Sequence, residues 1–327
     1  MFARFFAKVR AWLILTRGSN LPTVWSNLFA GWLLGYVYAD RFPWGPFLLT
    51  SLLGLLIGVS LIYVGGMILN DAFDARWDTE RRSTRPIPSG LVSVTAAHVV
   101  GFLCLAIGSW FTVVSSLDGH GRATFTLVVL LVASVLVYDR WHKGVGWAPA
   151  VMGLCRALLP LIGFFAVGGL VDGPHFRGWP LVALLAYPCV LWLLTFSITL
   201  VARHEAGPGT PPKWAEWLLY LVPVPLILVQ TLPEVNVAPK VAVFGCLLFW
   251  LWIWRSNRRH DLPVGVGPRV ADRLAAFPLV DYAAAGLFYY QAHYMRQGIE
   301  GSTEVGWAAV AMPLAWMVPF GSFVLTL

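Results

Sequence analysis

Apolar runs of about 20 residues recur along this chain, and each can cross the roughly 30 Å hydrocarbon core of a membrane as an α-helix. Charged residues make up only 12% of the 327 residues, whereas a soluble domain carries about 25%. We therefore predict an all-α, polytopic membrane bundle and exclude a soluble globular domain. The predicted spans lie at 21–39, 47–69, 94–116, 124–138, 149–171, 180–201, 216–231, 240–255 and 276–294. A further apolar segment at 305–325 makes the number of transmembrane helices nine or ten.

Lysine and arginine residues are concentrated in alternate connections between these spans, which predicts the orientation of the chain in the membrane. The connections on one side carry several each, beginning with Arg4, Lys8, Arg10 and Arg17 at the N-terminus. The connections on the other side carry one each: Arg41, Arg122, Arg177 and Lys240. The N-terminus is therefore expected in the cytoplasm, with the protein in the inner (plasma) membrane of a bacterium. The net charge of +7 then reflects topology, and nucleic acid is not an expected partner.

The first 18 residues are expected to form an amphipathic helix on the inner leaflet, within a single domain that covers residues 1–327. Its apolar face is formed by Phe2, Phe5, Phe6, Val9 and Leu13. Arg4 and Lys8 lie off that face. Membrane lipids are therefore the expected partners of this helix.

An acidic cluster (Asn70, Asp71, Asp74 and Asp78) follows the second predicted span, at the start of the cytoplasmic loop 70–93. The three aspartates are spaced by three and four residues, which places their carboxylates on one face of a helix. Asn70 lies four residues before Asp74 and adds an amide to that face. Hard oxygen ligands of this kind suit Mg²⁺. The acidic cluster therefore predicts a magnesium site at the membrane boundary.

Arginines follow the acidic cluster within a few residues. Arg82 and Arg85 carry guanidinium groups whose fork-shaped donors match the geometry of phosphate oxygens. A metal site next to such arginines predicts that the segment binds a diphosphate. An ordinary solvated polar loop would not keep its charges in helical phase, which argues against that simpler interpretation.

Arg156 is a charged residue about two turns into the fifth predicted span. A charge at that depth is costly, so we expect it to face a cavity with a functional role. The alternative is that its side chain snorkels to the cytoplasmic interface. Asp139 and Arg140, at the end of the fourth span, are interpreted as a solvated pair at a helix end.

The sequence resembles the UbiA superfamily of intramembrane prenyltransferases. The acidic cluster matches the first family motif, NDxxDxxxD, in full. Arg85, Pro86, Ser89 and Gly90 match the RPxxSG element that follows it. Tyr138 and Lys143 stand in the family's tyrosine–lysine relation after the fourth span, and Asn20 lies where these proteins often place an asparagine near the ligand.

This resemblance implies a helical bundle around a central cavity, in which a prenyl group passes from a polyprenyl diphosphate to a small-molecule or lipid acceptor at the cytoplasmic side. The acidic cluster would hold Mg²⁺, with Asn70 as a neutral ligand or as a donor to the ligands. Cations would neutralise the diphosphate, and Tyr138 would orient a phosphate oxygen. The expected cations are Arg82, Arg85 and Lys143.

The resemblance breaks in the second half of the chain. The family carries a second motif, DxxxD, after the sixth span, but here residues 201–207 contain no aspartate. Glu205 could hold one ion there, or Arg203 could meet the diphosphate oxygens directly in place of a metal. The Cys155-Arg156 pair and the Arg203-His204-Glu205 loop are similar to a divergent subgroup, the EboC-like proteins.

Two other classes of function stay open on the sequence alone. A transporter or a lipid or metabolite flippase is favoured by prolines inside spans, although neither an inverted repeat nor a paired intramembrane carboxylate accompanies them. These prolines are Pro160, Pro188, Pro223 and Pro225. A phosphatidyltransferase that uses a CDP-alcohol is disfavoured, because Asp74-Ala75-Arg76 matches only a fragment of the DGxxAR motif.

The orientation is tested by a cysteine introduced at Thr84. The predicted topology places residue 84 in the cytoplasm, so a membrane-impermeant maleimide should label it in inverted vesicles but not in intact cells. The wild-type protein serves as the background control, since its four cysteines lie inside apolar spans. Labelling of the introduced cysteine in intact cells would contradict the predicted orientation.

Overall fold

The computed structural model describes residues 2–37, 46–81, 84–116, 121–168, 179–204, 213–230, 240–259 and 266–284. Over these ranges the chain is helical and contains no strand, which confirms the predicted all-α class. The helices are α1 (Phe2–Thr16), α2 (Leu21–Val37), α3 (Pro46–Phe73), α4 (Ala75–Arg81), α5 (Val94–Val114), α6 (Gly121–Trp141), α7 (Ala148–Ala166), α8 (Trp179–Ala202), α9 (Lys213–Leu221), α10 (Val224–Gln230), α11 (Lys240–Arg259) and α12 (Val266–Leu274). A 3-10 turn at Gly18–Asn20 joins α1 to α2, and residues 277–284 are also helical.

Five of the predicted spans form helices that are long and apolar enough to cross a membrane. These are Leu48–Phe73, Val94–Val114, Gly121–Trp141, Ala148–Ala166 and Leu184–Ala202. Large apolar side chains on their outer faces are exposed, among them Phe102, Trp110 and Phe125. Such exposure is unfavourable in water and favourable in lipid, so the protein is an integral membrane protein.

The other predicted spans differ in detail from the observed helices. The first is the 17-residue helix α2, and the eighth lies within α11. The seventh is divided into α9 and α10 next to Pro223, which has no backbone N–H to continue a helix. The ninth span is described only through residue 284, and the segment 305–325 lies outside the described residues. The total of nine or ten transmembrane helices therefore stays a prediction.

The acidic cluster lies on helix rather than in an extended loop. Helix α3 continues to Phe73, and α4 begins two residues later. Asp74 N–H donates to the carbonyl of Asn70 and Asp78 N–H donates to the carbonyl of Asp74, so helical phase persists across the junction. The segment predicted as the loop 70–93 is thus helical through residue 81, which keeps the three carboxylates on one side.

Helix α1 packs on the C-terminal end of α3. Its inner face contributes the buried side chains Ala11 and Leu15, which join Ile68 and Ala72 in one apolar group. The side chains of its opposite face are exposed: Phe2, Phe5, Phe6 and Leu13. The structure therefore has a helix at Phe2–Thr16, and its amphipathic, interfacial role stays a prediction.

Small residues allow the helices around the centre to approach closely. A Cβ atom on Gly31 of α2 would overlap the backbone of Pro160 on α7, and one on Gly163 would overlap the backbone of Leu28. Close backbone packing of this kind stabilises helix pairs in membranes, where apolar burial provides little driving force. The two helices flank a cavity of about 210 Å³ that is also lined by α3, α6 and α8.

Candidate active site

Asp71, near the end of α3, is held by an arginine from the junction between α1 and α2. Arg17 Nη2 donates to Asp71 Oδ1 at 2.8 Å, and the carboxylate is buried while Arg17 keeps partial exposure. Arg17 has a left-handed backbone, with φ 45° and ψ 44°, which is uncommon for a residue with a Cβ atom. This conformation ends α1 and brings the guanidinium next to α3.

Arg85 bridges two carboxylates of the acidic cluster. Its Nη1 lies 3.3 Å from Asp71 Oδ1 and 2.7 Å from Asp78 Oδ2. A turn fixes the backbone behind it, because Ser89 N–H donates to the Arg85 carbonyl at 2.9 Å and Gly90 has a φ of 75°. Glycine adopts that left-handed conformation without strain. The RPxxSG pattern is therefore the turn that presents Arg85 to the carboxylates.

Asp74 is paired with two residues that follow α6. Its Oδ1 accepts from Lys143 Nζ at 2.7 Å, and its Oδ2 lies 3.4 Å from His142 Nε2. Burial raises the pKa of the Asp74 carboxyl, but the hydrogen bonds and charges of His142 and Lys143 outweigh it and leave the pKa below its ordinary value. Asp74 is therefore an anion at neutral pH. Lys143 also lies over the ring of Trp77, 4.0 Å from its centroid.

Asp139 joins the acidic cluster, which corrects its interpretation as half of a solvated pair. Its side chain is only 3% exposed, and its Oδ1 accepts a hydrogen bond from Asn70 Nδ2 at 3.1 Å. Arg140, its neighbour in sequence, is exposed. Consecutive residues of a helix are rotated by about 100°, so these two adjacent charges at the end of α6 face different environments.

The oxygen ligands of this site fit a magnesium ion. No group of three Asp, Glu, His or Cys side chains converges at one point within the described ranges. Magnesium in proteins commonly uses only one or two carboxylates, with water and substrate phosphate as its other ligands. Two buried carboxylate oxygens among the described residues, Asp78 Oδ1 and Asp139 Oδ2, have no hydrogen-bond partner. An unpartnered buried oxygen is costly, and a hard cation is a partner that its chemistry favours.

The central cavity reaches this site through Arg17 and Asp139, which line it. Asn20, Tyr138 and Asp139 line its end near the acidic cluster, and Arg156 lines it further into the bundle on α7. Tyr138 stacks on His142 with ring centroids 4.9 Å apart. The predicted cavity-facing position of Arg156 is thus observed, and snorkelling to the interface is not. Much of the remaining lining is aliphatic: Val24, Val59, Ile62, Leu131, Val135 and Leu159.

The second half of the chain contributes less to this site. Arg203, just after α8, is exposed and donates a hydrogen bond to the carbonyl of Val145 in the α6–α7 connection. Two of the predicted site residues, Arg82 and Glu205, lie outside the described residues.

Three residues of the site escaped sequence reasoning: Arg17, Asp139 and His142. The sequence identifies Arg17 only as a charge that sets topology, although its place just before the first span puts it at a membrane boundary. His142 lies four residues after Tyr138, a spacing that stacks the two side chains on one helical face. That spacing was the one available signal, because the contact of Arg17 with Asp71 joins residues 54 positions apart.

Arg85→Gln should destabilise the protein. Asp78 is 1% exposed, and the substitution removes the charge that its carboxylate faces. Loss of one partner from a buried pair costs about 3 kcal/mol, and the partial exposure of Arg85 reduces this to about 2 kcal/mol. Denaturant unfolding in detergent measures the change. Arg81→Gln is the matched control, since its partner Glu80 is 63% exposed and its loss should cost less than about 0.5 kcal/mol. Equal effects of the two substitutions would contradict this assignment.

Known proteins similar to this chain include prenyltransferases of the family that the motifs resemble. A model of the UbiA prenyltransferase family matches residues 24–277. The chain is 32% identical over 164 residues to a digeranylgeranylglyceryl phosphate synthase of Sulfolobus acidocaldarius, covering 50% of this chain and 55% of that one. It is 31% identical over 173 residues to a protoheme IX farnesyltransferase of Oceanobacillus iheyensis, covering 51% and 49%. The chain therefore spans about half the length of these two curated relatives.

A solved structure has the same fold. The UbiA homologue from Archaeoglobus fulgidus, bound to DMAPP and Mg²⁺, superposes with a TM-score of 0.56 at 16% sequence identity. The superposition covers 85% of this chain and 99% of that chain. Because the family model spans most of the sequence, this protein belongs to the UbiA prenyltransferase family.

Proposed function

We propose that this protein transfers a prenyl group from a polyprenyl diphosphate to an acceptor at the cytoplasmic side of the membrane, with Mg²⁺ as its cofactor. One observation carries the proposal. Three carboxylates, Asp71, Asp74 and Asp78, face the cations of Arg17, Arg85 and Lys143 at the mouth of an apolar cavity. The relatives that are named as prenyltransferases support the same reaction class.

The charges of this cluster are matched to a metal–diphosphate substrate. With Asp139 counted, four carboxylates face three permanent cations, so a divalent cation bound to the carboxylates would leave a net positive charge. A diphosphate would neutralise that excess. Asp71, Asp74, Asp78 and Asn70 would hold Mg²⁺, which when bound stabilises negative charge on the departing diphosphate. Arg17, Arg85 and Lys143 would then donate to diphosphate oxygens.

The reaction needs the bond between the allylic carbon and the diphosphate oxygen to break. The electron pair leaves with the diphosphate, and a nucleophilic atom of the acceptor bonds to the allylic carbon and loses a proton. Water would compete for the same carbon, and the aliphatic lining of the cavity excludes it. Tyr138, which lines the end of the cavity near the acidic cluster, would orient a phosphate oxygen.

A single magnesium ion is expected in this protein. The chain has no second aspartate motif after α8, and Arg203 is the charged side chain that the structure describes there. A guanidinium can bind phosphate oxygens through two parallel hydrogen bonds. Its positive charge would then stand in for that of a second magnesium ion. Arg203 would leave the Val145 carbonyl, its partner in this structure, to do so.

The alternative function is a transporter or a flippase for lipids or metabolites, built on a degenerate prenyltransferase scaffold. The two functions differ in what happens to the diphosphate, because a transferase releases pyrophosphate and a carrier returns its cargo intact. Membranes that contain the protein, supplied with geranylgeranyl diphosphate and Mg²⁺, should release pyrophosphate and accumulate a prenylated product. Intact diphosphate recovered from both faces of sealed vesicles would overturn the proposal.

Asp71→Ala and Asp74→Ala should each lower pyrophosphate release at least 100-fold while the protein keeps its fold. Each substitution removes oxygen ligands from the proposed metal site, and neither carboxylate packs in an apolar core. Glu80→Ala is the matched control, because Glu80 lies on α4 with an exposed side chain and should keep full activity. Near-normal turnover of either aspartate variant at saturating Mg²⁺ would refute the role of the acidic cluster.

A further inference from the structure

A second polar cluster lies deeper in the bundle, apart from the acidic cluster. Its centre is Asp281, a carboxylate with 0% exposure. Asp281 Oδ1 accepts hydrogen bonds from Asn27 Nδ2 at 2.8 Å and from Tyr187 OH at 2.6 Å, and Oδ2 accepts one from Ser26 Oγ. Helices α2 and α8 and the helical segment 277–284 therefore converge on one buried anion. Burial of a lone carboxylate would cost several kcal/mol, so a compensating charge is needed.

The compensating charge is Arg156 of α7, and an amide separates the two groups. Arg156 Nη1 donates to Asn27 Oδ1 at 3.2 Å, while Asn27 Nδ2 donates to Asp281. A carboxylate only accepts and a guanidinium only donates, so this orientation of the Asn27 amide alone satisfies both neighbours. In the described part of the chain, Arg156 and Asp281 form no direct ion pair. Asn27 therefore links the charge of Arg156 to Asp281. The guanidinium donors that a direct ion pair with Asp281 would occupy stay available.

The remaining donors of Arg156 are available to the central cavity. A guanidinium carries five N–H donors, and the one hydrogen bond that Arg156 makes to the described residues, to Asn27, uses one of them. The other face of the group lies over Phe277, with the guanidinium carbon 4.8 Å from the ring centroid. Arg156 lines the same cavity as Asn20 and Tyr138, and its hydrogen bond among the described residues goes to Asn27 and not to the acidic cluster. A guanidinium that is fixed in orientation, lines an apolar cavity and has donors to spare is suited to bind an anion.

We propose that Arg156, held by Asn27 and Asp281, binds an oxyanion of the prenyl acceptor, either a carboxylate or a phosphate. This inference rests on the proposed function and adds the chemical class of the acceptor to it. The acceptor would enter the central cavity with its oxyanion on Arg156 and its nucleophilic atom towards the acidic cluster. Neutral acceptors would leave the buried guanidinium donors unpaired and would bind weakly.

Isothermal titration of the full-length protein in detergent tests this proposal with glycerol 1-phosphate and benzoate as the oxyanion probes. Glycerol and benzyl alcohol are the neutral counterparts. The wild-type protein should bind at least one oxyanion probe and neither neutral probe. Arg156→Gln should weaken that binding at least tenfold. Arg156→Lys should weaken it at least fivefold, because a lysine keeps the charge beside Asp281 but loses the fork.

Two controls keep the outcomes distinct. Arg122→Gln, which removes an exposed arginine on α6, should leave oxyanion binding unchanged. All variants should bind geranyl S-thiolodiphosphate with Mg²⁺ as the wild type does, and circular dichroism reports separately whether each variant is folded. Arg156→Lys decides the result if Arg156→Gln does not fold.

Equal oxyanion binding by the wild type and Arg156→Lys would overturn the inference, and so would wild-type protein that binds neither oxyanion. Loss of thiolodiphosphate binding in a folded Arg156 variant would overturn it as well. That last result would assign Arg156 to the diphosphate itself. Failure of the wild-type protein to bind the thiolodiphosphate would instead contradict the proposed function, whatever the outcome with the oxyanion probes.

Discussion

The structure depends on how the carboxylates after the second predicted span are neutralised. Asp71, Asp74 and Asp78 follow a span of apolar residues, and each is largely buried. Their partners come from distant parts of the chain: the α1–α2 junction, the turn after α4 and the connection after α6. Since an unpaired buried charge costs several kcal/mol, these ion pairs join three segments into one site at the mouth of the cavity.

The same arrangement is suited to the proposed reaction. Cations that neutralise carboxylates in the free protein are also the groups that a diphosphate would need, so binding exchanges one set of partners for another. Arg156, deeper in the bundle, is likewise a cation that compensates a carboxylate in the free protein. Asn27 connects it to Asp281, and its other donors stay available for a ligand. Both polar groups border one cavity of about 210 Å³, which gives the proposed donor and acceptor neighbouring positions.

Much of this architecture could be predicted from the sequence. Span length identifies membrane helices because hydrocarbon thickness fixes the length of helix that crosses it, and the spacing of the acidic cluster identifies one helical face. The role of Arg17 could not be predicted, because it depends on a bend at one residue and on a partner 54 positions away. The burial of Asp139 could not be predicted either, because it depends on the packing of α6 against α3, which no local sequence pattern encodes.

The central claim is that the acidic cluster binds a prenyl diphosphate together with a magnesium ion. The most direct measurement is the affinity of the purified protein for geranyl S-thiolodiphosphate, determined with Mg²⁺ and again after removal of divalent ions by a chelator. We expect removal of Mg²⁺ to weaken binding of the analogue at least tenfold, and we expect titration to give one Mg²⁺ per bound analogue. Equal affinity in both conditions would show that the cations bind the diphosphate alone and would contradict the account.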